Sequence, residues 1–245
     1  MLFQRLGDDW HRALALAGFG FASDAEAAFA RLSHAAELFG RQGDHVKRAK
    51  CLNQMAQRAI EERVHLDDVP SWLAEAARLA RTSGNDHERL HAEQYRAIFD
   101  QQFGDHAIAR TRFSALLPEF RRIGDLRCAV RCLLGLGRAA SFGGEHDQAR
   151  RHFAEGTRIA VGLDLRLTAI GLRLLAGAEC AAGDLQRAAA LLGAAGRLDP
   201  ANRQDLVPDP SLPAALRDRL GPAGFDSAFA AGHRTPPAGV PEAGM

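Results

Sequence analysis

Residues 136–156, LGRAASFGGEHDQARRHFAEG, carry a complete signal for two helices joined by a tight turn. Apolar residues recur at helical spacing on both sides of Gly143-Gly144-Glu145. Glycine accepts the left-handed backbone that closes a helix, and an acidic residue after it accepts the free N–H groups that open the next. Ala149 lets the two helices approach closely, and Phe153, four residues on, fills the space toward whatever packs next.

The same punctuation recurs in both directions. One series is Gly7-Asp8, Gly43-Asp44, Gly84-Asn85, Gly124-Asp125 and Leu163-Asp164; a second falls between, at Ser23-Asp24, Asp67-Asp68, Gly104-Asp105, Gly144-Glu145 and Gly183-Asp184. Each interval holds one amphipathic stretch of about four or five helical turns. No segment alternates Val, Ile or Thr as a half-buried strand does. The units also superpose: the shift that carries Gly124-Asp125 onto Gly43-Asp44 carries Cys132-Leu133 onto Cys51-Leu52. The expected fold is all-α, a right-handed superhelical solenoid of about five antiparallel helix pairs followed by a short helical cap.

Gly137, Ala149, Phe153 and Gly156 together resemble a tetratricopeptide repeat, and Ala97/Ala109/Phe113 and Ala176/Ala188/Leu192/Ala195 follow the pattern more loosely. The period here is about 40 residues against the family's about 34. This resembles the longer-helix repeats of bacterial signal-transducing ATPases and of large LuxR/SARP-type ATP-binding transcriptional regulators. The unit around VHLDDVPSW (64–72) carries an insertion. Toward the end, AAALLGAAGRL (188–198), a Pro-rich connector and LRDRLGPAGFDSAFAAGHR (216–234) are similar to the C-terminal close of those regulators, through Leu220-Gly221, Phe225, Phe229 and Gly232. The expected organisation is a repeat array over 1–198, a connector over 199–212, a helical cap over 213–234 and a disordered tail over 235–245. LFQRLGD (2–8) resembles LFGRQGD (38–44) and EFRRIGD (119–125), which end helices, so the resemblance implies that further helical turns precede Met1.

The 245 residues are 47% hydrophobic and 25% charged, with a net charge of +1, a balance that offers no long-range attraction to nucleic acid or to an anionic membrane. No apolar run is long enough to span a bilayer, and the N-terminus has no secretory pattern. Cys51, Cys128, Cys132 and Cys180 lie in helical patterns without a C-x-x-C spacing and are expected to be reduced, packed thiols of a cytoplasmic protein. There is no G-x-x-x-x-G-K-[ST] loop and no basic recognition helix, so neither ATPase activity nor DNA binding transfers with the resemblance. No cofactor is expected.

HERLH (87–91) matches H-E-x-x-H, whose histidines bind zinc from one helical face while the glutamate serves as base. It follows the Gly84-Asn85-Asp86 cap directly, Arg89 and Asp86 make its surroundings charged, and His91 aligns with Lys50 and Arg131 of other repeats. A zinc hydrolase is therefore the weakest alternative, and Trp10, Trp72 and Tyr95 are read as packing residues. The concave face of such an array is lined by the first helix of each pair. Its inward row is Lys50, Asn53, Gln57, His91, Gln94, Arg131, Arg138 and Arg173, basic and amide-bearing with little carboxylate opposite. Arginine forks and amides match carboxylates and backbone carbonyls. The expected function is a non-catalytic interaction module docking an acidic or C-terminal peptide segment there, as the sensor or scaffold arm of a bacterial transcriptional or signal-transducing regulator. A small-molecule effector is the alternative ligand, and self-association through the N-terminal repeat a further expectation.

Overall fold

The computed structural model describes residues 8–19, 24–199 and 210–236. Gly7 and most of LFQRLGD, the core of the connector and the end of the tail lie outside these residues. Among the described residues there are eleven helical segments and no strand: α1 (Asp9–Phe19), α2 (Ala25–Arg41), α3 (His45–Glu62), α4 (Val69–Thr82), α5 (Asp86–Phe103), α6 (His106–Arg122), α7 (Leu126–Phe142), α8 (His146–Ala160), α9 (Leu165–Ala182), α10 (Leu185–Leu198) and α11 (Leu212–Arg234). The fold is a helical solenoid built from sequential helix pairs.

The punctuation works by the chemistry expected of it. Asp44, Asn85, Asp125, Asp164 and Asp184 each accept a hydrogen bond from the backbone N–H three residues on, and Asp105 from Ala107 and Ile108. Gly43, Gly84, Gly124, Gly144 and Gly183 hold φ between +65° and +93°, a region that costs other residues about 1–2 kcal/mol. Between α3 and α4 the pattern differs. Arg63 and His65 take the left-handed backbone at φ 57° and 51°, and Asp68 makes no side-chain cap. Tertiary contacts hold this inserted turn: the His65 ring lies 4.7 Å from Phe29, the Phe29 ring 6.0 Å from Trp72, and the Arg63 guanidinium 5.8 Å from the Phe103 ring.

The chain divides into two compact units at Gly104, between the two helices of the third pair. In the first unit α3 packs on α5, around a core that includes Leu32, Leu52, Ala56, Ile60, Leu73, Ala76 and Tyr95. In the second, α7 packs on α9, and each consecutive pair from α6 to α11 is in contact. The small and large residues of the repeat motif meet there. A Cβ on Gly135 would stand 2.4 Å from the Phe113 ring and one on Gly137 2.4 Å from the Phe153 ring, so α7 receives an aromatic ring from the helix on either side. Phe113 and Phe153 are accordingly buried with Ala109 and Ala149.

All four cysteines are free, with Cys51, Cys128 and Cys132 buried and Cys180 half-buried. Burial pushes the Cys51 and Cys128 thiols up to about 12, which leaves almost no thiolate at neutral pH. In the native protein at pH 8, iodoacetamide is expected to modify Cys180 well before Cys51, Cys128 or Cys132. In denaturant all four should react on one timescale, as followed by intact mass and peptide mapping. Labelling of Cys128 as fast as Cys180 in the folded protein would contradict its placement.

Candidate partner-binding site

Within each unit the first helices of neighbouring pairs pack on one another, α3 on α5 and α7 on α9, whereas no two second helices pack as closely. The side chains expected to face a partner lie on these first helices, and the structure divides them by what they already touch.

In the first unit, Lys50 is exposed and makes no ion pair among the described residues. Asn53, one turn on, is 2% exposed, and its Nδ2 donates to the Glu88 carbonyl at 3.0 Å and to Glu88 Oε2 at 2.9 Å. Gln57 is half-buried; its Oε1 accepts from the Tyr95 hydroxyl at 2.7 Å and its Nε2 donates to Glu61 at 3.0 Å. Gln94 is buried at 1% exposure, and His91 is half-buried, its ring 4.2 Å from His87 and 6.2 Å from Tyr95. The Asn53 NH2 group thus joins α3 to α5, while its Oδ1 has no hydrogen-bond partner among the described residues. Glu88 corrects the expectation of a row with little carboxylate: it is 7% exposed and sits on Asn53, while Arg89, paired with Asp86 and Glu93, keeps the rest of HERLH charged as expected. An apolar stripe running past the motif on Leu90, Ala92 and Tyr95 was the sequence signal for this burial.

In the second unit, Arg173 is withdrawn from the surface. Its side chain is 7% exposed and its guanidinium donates to Asp199 Oδ2 at 3.1 Å and to the Asp199 carbonyl at 3.3 Å, tying α9 to the end of α10. Arg131 is half-buried on α7. Arg138, two turns on, is half-buried as well and differs from both, because among the described residues no carboxylate or carbonyl partners it. Burial alone pulls its guanidinium pKa below the ordinary value, with no anion offsetting it. A cation partly withdrawn from water without a partner costs stability. In the next pair the register position of Arg138 is Gly177, and the space a Cβ would occupy there is empty to 4 Å.

A second charged group on a first helix escaped notice in the sequence. Glu179 of α9, 1% exposed, lies between Arg150 of α8 and Arg187 of α10, its oxygens 3.1 and 3.0 Å from their Nε atoms. The lone carboxylate inside the apolar run LLAGAECAA (174–182) was the available signal. This triad is internal: the fold itself pairs the three charges, although Glu179 Oε2 and the two Nε atoms make no hydrogen bond among the described residues.

No family model matches the chain, and no curated protein matches it. Among solved structures it is similar to that of Rap protein complexed with competence and sporulation factor, with a TM-score of 0.64 and 14% identity over 93% of this chain and 72% of that one. The likeness establishes a tetratricopeptide-like helical repeat fold. No helix among the described residues is long and apolar enough to cross a membrane.

Proposed function

We propose that this chain is a non-catalytic interaction module that docks an acidic segment, or a free C-terminal carboxylate, of a peptide on its first helices. Arg138 carries the reading: it is a half-buried guanidinium with no anion of its own, and an incoming carboxylate supplies the missing partner through a bidentate pair. Arg131 lies two turns away on the same helix; within the first unit, by itself, Lys50 is an exposed cation on α3. Asn53, Gln94 and Arg173 serve by holding the helices that present these cations. The similarity to a structure solved in complex with a bound factor is in keeping with a ligand-holding role. The setting, by resemblance of the repeats and the C-terminal close, is a cytoplasmic bacterial regulator in which the array senses a partner.

The test is selection from a library of short peptides with free C-termini, followed by fluorescence anisotropy on the enriched sequences. Arg131→Glu combined with Arg138→Glu is expected to abolish capture. Arg138→Met alone is expected to weaken binding at least about tenfold while holding or raising the melting temperature, since it removes an unpaired, desolvated cation. Amidating the peptide C-terminus distinguishes a terminal carboxylate from an acidic side chain. Undiminished capture by Arg138→Met, or loss of folding and capture together, would overturn the assignment.

A further inference from the structure

Glu88 and Asn53 present an unsatisfied combination that the docking of carboxylates does not explain. Glu88 is a carboxylate at 7% exposure, and no Lys or Arg among the described residues lies within ion-pair distance of it. Its ion-pair contact among the described residues is with the imidazole His87 Nδ1, 3.9 Å from Oε1 and beyond hydrogen-bond range. As the third residue of α5, Glu88 gains some relief from the positive end of the helix, which does not replace a counter-ion. Asn53 is more buried still, at 2%, and its orientation is dictated by chemistry. Two oxygens of Glu88 stand on one side of its amide, so the NH2 group must face them and Oδ1 must point away. That Oδ1 has no hydrogen-bond partner among the described residues. A buried acceptor and a buried, uncompensated negative charge therefore adjoin on the facing sides of α3 and α5. A bound water satisfies the amide oxygen but leaves the charge. A group with both N–H donors and positive charge satisfies both at once.

We infer that Glu88 and Asn53 form a recognition site for a cationic N–H group, an ammonium or a guanidinium, brought by the ligand. Its N–H donates to Asn53 Oδ1 while its charge pairs with the Glu88 carboxylate. The inference rests on the first helices being the ligand face. Beside the buried pair, His87 is next to Glu88 in sequence with its side chain 53% exposed, and Lys50, one turn before Asn53, is exposed.

The experiment is a titration of the full chain with agmatine, which carries both a guanidinium and an ammonium, observed through the side-chain amide NMR signals of Asn53. Those signals are identified by their loss in Asn53→Asp. A saturable shift is expected in the wild-type protein and in Arg131→Glu/Arg138→Glu, and at least a tenfold weaker response in Glu88→Gln. Glu88→Gln is also expected to keep or raise the melting temperature, because it neutralises a desolvated charge; a residue with only a structural role would lower it. Acetyl-Gly-Arg-Gly-amide and unblocked tetraglycine then separate a side-chain guanidinium from an N-terminal ammonium as the source. Agmatine silent in the wild type, a response unchanged in Glu88→Gln, or saturation by zinc or magnesium but not agmatine would each overturn the inference. Agmatine binding with failed peptide capture would remove the carboxylate-docking reading and leave this one standing.

Discussion

Glu179→Ala is expected to lower the stability of the second unit by about 3–5 kcal/mol, the range for removing one partner of a buried ion pair. The Glu179 side chain is 2% exposed and meets two guanidiniums from different helices, Arg150 at 3.1 Å and Arg187 at 3.0 Å. Without it, two like charges face a cavity lined by the ends of α8, α9 and α10. Arg150 keeps a third of its side chain in solvent and has Asp147 at 3.6 Å, so it relaxes outward. Arg187 is 17% exposed, and relaxes less. The loss should therefore fall toward the lower end of the range, a drop in melting temperature of about 6–12 °C for a chain of this size. Glu155→Ala is the control. Its carboxylate pairs with Arg121 with 36% of its side chain exposed, where an ion pair contributes about 0–1 kcal/mol. Thermal melts of the two variants, with circular dichroism to check helicity, decide the matter. A Glu179→Ala protein that melts within about 2 °C of wild type would mean that the triad holds nothing together.

Gly232→Leu is expected to release the end of α11 from α10 and to cost about 3 kcal/mol or more, at the upper end of overpacking. The contact is between backbones. A Cβ on Gly232 would lie 1.8 Å from the Ala190 carbonyl oxygen, and one on Gly193 would lie 2.0 Å from the Phe229 carbonyl oxygen. A flexible side chain in the way can turn aside, but a helix backbone can only separate, and separation uncovers Leu191, Ala194, Leu216 and Phe225. Amide hydrogen exchange reports this directly, as faster exchange confined to α10 and α11 together with a lowered melting temperature. Gly224→Ala on the same helix is the control, since its Cβ would meet only the Leu220 Cβ at an ordinary 3.5 Å. Equal exchange in Gly232→Leu and Gly224→Ala would show that the close approach does not hold the terminal helix.

The break in α11 has a local cause that the sequence displays. Gly221 takes φ 72° and ψ 157° ahead of Pro222, so the segments Leu212–Leu220 and Pro222–Arg234 meet at a kink. The turn between α3 and α4 is different. Arg63 and His65 adopt a backbone that their own chemistry disfavours, and rings from α2, α4 and α5 compensate. No rule of local propensity places the left-handed region on an arginine, and VHLDDVPSW was legible only as a departure from the repeat.

The partner-binding row separates along the same line. Helical periodicity places Arg131, Arg138 and Arg173 on first helices, and it treats them alike because their local surroundings are alike. Arg173 and Arg138 have opposite fates since Asp199 reaches the one and no carboxylate among the described residues reaches the other. Asn53 looked like a free amide until Glu88, 35 residues on, was found beneath it. The HERLH glutamate looked solvated because its neighbours in sequence are charged, whereas its neighbours in space are α3 and the helix face beneath it.

Outside the turn between α3 and α4, the sequence by itself determined the helices, where they begin and end, and their pairing. Caps and left-handed glycines act within a turn or two of their own position, and a repeat multiplies one local rule along the chain. Only the tertiary structure decided which charges are satisfied. Electrostatic partnership depends on distances between residues from different helices, and a shift of a few ångströms converts a ligand-facing guanidinium into an internal strut.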